Sequence, residues 1–138
     1  MVVGFRIGLK NSTQLVKSTF KLAYEQRQPQ FPLLFHTDRG SNYRSNAFCA
    51  YLQSLGVTQS FSRAHIPYDN SVMESFFASM KREELYRTKY RSEQELRAAV
   101  ADYIKFYNET RPHAKNGYKT PFKKEQEYYV NSKQNEKK

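Results

Sequence analysis

The stretch Phe31-Pro32-Leu33-Leu34-Phe35-His36-Thr37-Asp38-Arg39-Gly40-Ser41 decides the reading of this chain. Leu33 to His36 is a short apolar run and predicts a buried strand. Thr37-Asp38-Arg39-Gly40-Ser41 follows at once with turn chemistry. A carboxylate directly after such a strand falls where open α/β sheets place their functional edge.

Upstream, Val2, Val3, Phe5 and Ile7 read as a strand. Asn11-Ser12-Thr13 offers a helix N-cap, and Leu15, Val16, Thr19, Phe20, Leu22 and Ala23 continue at helical spacing to about Gln28. Pro29 and Pro32 break that helix. Downstream, Ser45 or Asn46 caps a second helix with Phe48, Leu52 and Leu55 on one face, and Gly56 suits its C′ position. Val57 to Phe61 alternates as a strand, and Ser62 to Tyr68 reads as a loop. Asp69 or Asn70 caps a third helix, with Met73, Phe76, Phe77 and Met80 as its buried stripe. Ser92 and Glu95 form a capping box, and a fourth helix carries Leu96, Ala99, Val100, Tyr103, Ile104 and Tyr107 until Pro112. Alternating strands and helices make an α/β pattern. Its 138 residues suit one domain over residues 1–130, with 131–138 as a solvated basic tail.

Thirty-five residues lie between Asp38 and Glu74. Glu74 borders the apolar stripe of the third helix. A helix, a strand and a loop fill the gap, so the two carboxylates can converge from different elements. Two converging carboxylates suit a hard divalent cation, and paired metals promote phosphodiester transfer. Each acid also has an ordinary reading: Asp38 as a turn residue bonding near Gly40, Glu74 as a first-turn acid favoured by the helix dipole. Asn70, Glu74, Ala78 and Lys81 recur at roughly helical intervals. Lys81 therefore projects from the side of Glu74, as a phosphate contact or as an ordinary exposed lysine.

Lys plus Arg total 23 against 13 acids, giving +10. Residues 1–68 hold eight basic side chains, Arg39 and Arg63 among them, and only two acids, Glu25 and Asp38. That imbalance is the electrostatic footprint of a polyanion partner. No apolar run approaches the roughly 20 residues of a membrane span, and no secretory signal precedes the first elements. A cytoplasmic location is expected. Cys49 is the only cysteine, which excludes an intrachain disulfide and a cysteine-based zinc site.

His36-Thr37-Asp38-Arg39-Gly40-Ser41-Asn42-Tyr43 resembles a signature of bacterial insertion-sequence transposases, members of the retroviral-integrase superfamily with a DDE active site. Pro67-Tyr68-Asp69-Asn70-Ser71-Val72-Met73-Glu74-Ser75-Phe76-Phe77, continued by Lys81 to Glu84, resembles a second signature. Tyr107-Asn108-Glu109-Thr110-Arg111-Pro112-His113 and Gly117-Tyr118-Lys119-Thr120-Pro121 resemble the closing segment.

The resemblance implies an RNase H-like fold, a mixed sheet flanked by helices, and Mg²⁺- or Mn²⁺-dependent cleavage and strand transfer on DNA. Asp38 would be the second metal-binding carboxylate and Glu74 the third. Lys81 matches a DNA-contacting lysine; Arg39, Arg63 and Asn70 join it as expected DNA-binding residues, with Asn70 helping to set the helix start near the site. His113 is expected to pack beside Pro112. Val2-Val3-Gly4-Phe5 looks like the family's third strand, so the first two strands and the first catalytic Asp are expected to be missing, which leaves binding of Mg²⁺ or Mn²⁺ by Asp38 and Glu74 weak or absent. His65, Ile66 and Asn116 stand where Gly, Asn and Leu are expected. The expected function is therefore the C-terminal part of a DDE catalytic domain, inactive alone, which associates with itself or with full-length transposase. The alternatives are a non-catalytic DNA-binding or inhibitory fragment, or a decayed gene product.

Overall fold

The computed structural model describes residues 1–63 and 70–135, with side chains to residue 132. The expectations placed on His65, Ile66 and Pro67 to Asp69 lie outside the described residues. The chain divides into two compact units, Val3–Ser79 and Met80–Lys138, the latter including Met1–Val2.

In the first unit, α1 (Thr13–Arg27) begins at Ser12, whose Oγ accepts from Leu15 N at 3.2 Å. It ends at Gln28 with φ 42°, a left-handed residue placed just before Pro29. Strand β1 spans Leu34–Thr37, α2 spans Asn46–Ser54 and β2 spans Thr58–Phe61. Ser45 caps α2 through Phe48 N, and Gly56 follows its end at φ 67°. The β1–α2–β2 unit brings the strands parallel, with Leu34 opposite Thr58 and Thr37 opposite Phe61. Phe20, Phe48, Leu52 and Val57 form the core beneath them, with Val16, Phe35 and Tyr43 packed against it. Edge-on ring contacts knit it: Phe20 lies 4.7 Å from Phe35, and Phe48 lies 6.1 Å from Phe20, Phe35 and Tyr43.

Two expectations for this unit need correction. Val2 to Ile7 forms no strand among the described residues. Gly4 instead lies against α1, where an added Cβ would come 3.2 Å from the Ala23 Cβ. Among the described residues the sheet shows two parallel strands. Strand β1 is not buried on both faces: Phe35 is half-buried and Thr37 buried, while Leu34 is 63% exposed. Alternation of that kind means that only one face of the pair is covered.

Helix α3 spans Ser71–Met80 and passes into a single π-helical turn, Lys81–Leu85. Phe76 and Met80 are buried as expected, but Met73 and Phe77 are 59% and 44% exposed, so half of the predicted stripe faces out. In the second unit, α4 (Glu93–Glu109) starts at Ser92, whose Oγ accepts from Glu95 N at 3.1 Å. It buries Val100, Tyr103 and Ile104 and packs against α5 (Pro121–Asn135). Helix α5 carries helical backbone past Asn131, into the segment expected to be a solvated tail. Val2 belongs to this unit: its N–H donates to Asn108 Oδ1 at 2.8 Å, and Asn108 Nδ2 donates to its carbonyl at 2.9 Å. A side-chain amide thus takes the backbone groups that a neighbouring strand would otherwise pair.

Candidate metal and nucleic-acid site

Asp38 is exposed at the carboxyl end of β1. Its Oδ1 accepts from Gly40 N at 2.8 Å, so the turn reading of this residue is realised and fixes the carboxylate from one side. An added Cβ at Gly40 would fall 2.9 Å from that same oxygen. The loop that follows is fastened at several points. Arg39 Nε donates to Ser62 O at 2.9 Å, tying the loop to the end of β2. Gln59 Nε2 donates to Tyr43 O at 2.9 Å and reaches Thr37 Oγ1 at 3.4 Å. Asn42 Nδ2 donates to Asn11 Oδ1 at 2.9 Å, and Thr13 Oγ1 donates to Asn42 Oδ1 at 3.2 Å. Tyr43 puts its ring on Phe48; burial, and then the Asp38 charge, push its hydroxyl pKa up, so the phenol stays neutral beside the carboxylate.

His36 is also fixed. Ser62 Oγ donates to Thr37 O at 3.2 Å, and the His36 ring meets Ser60 Oγ at 2.6 Å through Nδ1 and Ser62 Oγ at 3.2 Å through Nε2. Because Ser62 Oγ gives its proton to the Thr37 carbonyl, it accepts from the His36 Nε2 side of the ring. The ring serves to lock the two strand ends together.

Glu74 lies in the first turn of α3, exposed, with no hydrogen-bond or ion-pair partner among the described residues. Asn70 is half-buried just before that helix, and Arg63 is exposed beyond β2. Lys81 is exposed at the start of the π-helical turn in the second unit. Among the described residues no group of three or more His, Cys, Asp or Glu side chains is placed to hold a metal ion. The donor chemistry nevertheless fits Mg²⁺ or Mn²⁺. Such ions take hard oxygens, bind through one or two carboxylates and retain several waters, and Asp38 and Glu74 are accessible carboxylates.

The second unit holds a cluster that reading by segments did not join. Glu83 accepts from Arg111 Nε at 2.9 Å, from a terminal Arg111 nitrogen at 2.7 Å and from Tyr103 Oη at 2.9 Å. The Arg111 guanidinium holds the Glu83 carboxyl below its usual pKa range, and Glu83 raises that of Arg111 in return. Tyr103 is pushed well up, first by burial and then by Glu83. His113 packs edge-on to Tyr107 at 4.5 Å and has Nε2 3.3 Å from the Tyr107 carbonyl. Both partners of the Glu83–Arg111 pair stood in quoted motifs, but nothing in one sequence links positions 28 apart.

Comparison with known proteins gives this geometry a class. The integrase core domain family matches residues 55–121, and a second model of the same description matches residues 1–67. Between them they run across most of the chain, which belongs to the integrase core family that includes insertion-sequence transposases. The transposase for insertion sequence element IS904 of Lactococcus lactis subsp. lactis (strain IL1403) is 35% identical over 121 residues, 87% of this chain and 48% of that protein. Transposase InsF for insertion sequence IS3fB of Escherichia coli (strain K12) is 32% identical, covering 87% of this chain and 42% of its own. A protein of Lactococcus lactis subsp. lactis described as an ATP-dependent protease is 37% identical over 82% of this chain and 37% of its own. This chain thus spans less than half the length of these curated relatives. The catalytic core domain of BIV integrase superposes with a TM-score of 0.63 at 17% identity, over 96% of this chain and 80% of that one. That likeness shows the fold to be RNase H-like, as the resemblance implied.

Proposed function

We propose that this chain is the C-terminal part of a DDE-type catalytic domain acting in DNA transposition, with Asp38 and Glu74 as two of its three metal-binding carboxylates. The observation that carries the reading is an exposed aspartate at the carboxyl end of a parallel strand, in a loop stapled from four directions, within an integrase-core fold. Asp38 and Glu74 would hold a divalent ion, which would supply Lewis-acid chemistry for phosphodiester transfer. The Gly40 amide and the Arg39–Ser62 tie keep the Asp38 carboxylate aimed, so no reorganisation is needed when DNA arrives. In the first unit Arg63, Asn70 and the remaining N–H groups of Arg39, and in the second unit Lys81, would each serve as phosphate contacts.

Asp38 is the first aspartate in the chain. The one acid before it, Glu25, lies in α1 facing Lys21 at 3.6 Å, so on this reading no third carboxylate of the 138 residues joins Asp38 and Glu74, and the chain alone is inert. Exposed Leu34, Phe61, Val72, Met73 and Phe77 on the first unit favour self-association or pairing with a full-length transposase. No described helix is long and apolar enough to cross a membrane. The reading puts the protein in the cytoplasm, where bacterial DNA lies.

The test is cleavage and joining of labelled DNA in Mg²⁺ or Mn²⁺. The chain alone gives no product. A chimera supplying an aspartate-bearing strand ahead of Val2 gains metal-dependent cleavage, which Asp38→Asn and Glu74→Gln each abolish. Robust joining by the chain alone, or a chimera indifferent to both substitutions, contradicts the proposal. The net charge of +10 also favours a second reading, a non-catalytic fragment that binds DNA or inhibits the enzyme. That reading requires DNA binding that weakens steeply with salt.

A further inference from the structure

The π-helical turn Lys81–Leu85 is held in place by side chains on every side. Tyr86 N donates to Lys81 O at 2.9 Å, which closes the wide turn on the lysine's own carbonyl. Glu83 is gripped by the two-pronged Arg111 contact and by Tyr103. Glu84 accepts from Tyr90 Oη at 2.8 Å, and Arg87 Nε donates to Arg82 O at 3.1 Å. The Arg111 and Glu83 side chains are only 24% and 27% exposed, whereas Lys81 at the head of the turn is exposed and has no ion-pair partner among the described residues. A wide turn is uncommon in helices and is frequent at functional sites.

We propose that Arg111 is a positioning residue: by clamping Glu83 it fixes the wide turn and so sets the direction in which Lys81 meets a DNA phosphate. The proposal rests on the reading of Lys81 as a phosphate contact. Arg111 itself is turned inward, with its fork spent on Glu83 and its guanidinium 5.7 Å from the Tyr107 ring centre. Its effect on DNA therefore passes through the lysine. A free guanidinium at the surface would add its own phosphate contact; a clamped one adds none.

The test is a two-residue cycle on the whole chain, read by fluorescence anisotropy with a short labelled duplex across a salt series. Lys81→Ala lowers the slope of log affinity against log salt by about one. Arg111→Ala lowers it comparably when Lys81 is present and not further in the Lys81→Ala background. Arg111→Lys keeps a charge opposite Glu83 and preserves the fold. It loses the two-pronged grip, and weakens binding only while Lys81 is present. An Arg111 effect that adds in full to that of Lys81→Ala overturns the proposal, since Arg111 would then touch DNA itself. So does an unchanged slope in both Arg111 variants while Lys81→Ala lowers it. If Lys81→Ala alone leaves the slope untouched, the phosphate-contact reading fails first, and that failure is visible without any change to the clamp.

Discussion

At Asp38 a backbone amide and a missing side chain act together. The Gly40 N–H holds Oδ1, and the absence of a Cβ at Gly40 leaves that oxygen room. Gly40→Ala would bring a methyl to 2.9 Å from Oδ1 and 3.3 Å from the Tyr43 ring. The carboxylate is the flexible partner, so it moves. The expected outcome is weaker Mn²⁺ binding, measured by titration calorimetry, with a change in unfolding free energy of less than about 1 kcal/mol by urea melts. Asp38 and its turn were legible in the sequence because aspartate two residues before glycine is local chemistry. Tyr43, Gln59 and Ser62 were not read as supports of the site. Their contacts with the loop depend on strand pairing and core packing, which a single sequence does not display.

Among the elements, helices α1, α2 and α4 were readable because their caps are written in sequence: Ser12, Ser45 and Ser92 each accept from an amide three residues on. The Val2 to Ile7 segment misled because β-branched composition predicts a strand only where a neighbour pairs with it. Helix α5 lacks an aliphatic stripe, so its periodicity was silent. The Glu83–Arg111 contact links the π-helical turn to the end of α4, and its loss has a stability cost. Arg111→Ala should destabilise the second unit by about 1–3 kcal/mol, because Glu83 loses its charged donor while half-buried. The acid side has a sign. Glu83 has its folded pKa lowered, chiefly by Arg111, with Tyr103 and Arg82 acting in the same direction. Its contribution is present above the ordinary glutamate value of about 4.3 and is lost as pH falls through the lower folded value. Circular dichroism melts should therefore show stability falling below about pH 4, less steeply in Arg111→Ala than in the parent. An equal acid slope in both would show that the pair is not the titrating element.

For the whole molecule, an excess of positive charge meets a fold whose relatives include insertion-sequence transposases. Charge alone names a class of partner, and the integrase-core fold narrows it; the proposed roles of Asp38 and Glu74 would add the chemistry. The α/β class and the family were legible from motif order, whereas the division into two compact units was not, because no linker composition marks residue 79. The central claim is that Asp38 and Glu74 grip one ion. The direct measurement is paramagnetic broadening of backbone amide resonances in the full chain as Mn²⁺ is added. The account predicts that amides around Asp38 and Glu74 broaden together over the same range of Mn²⁺ concentration, and that Asp38→Asn removes the broadening at Glu74 as well. Broadening at either acid that survives neutralisation of the other would contradict it.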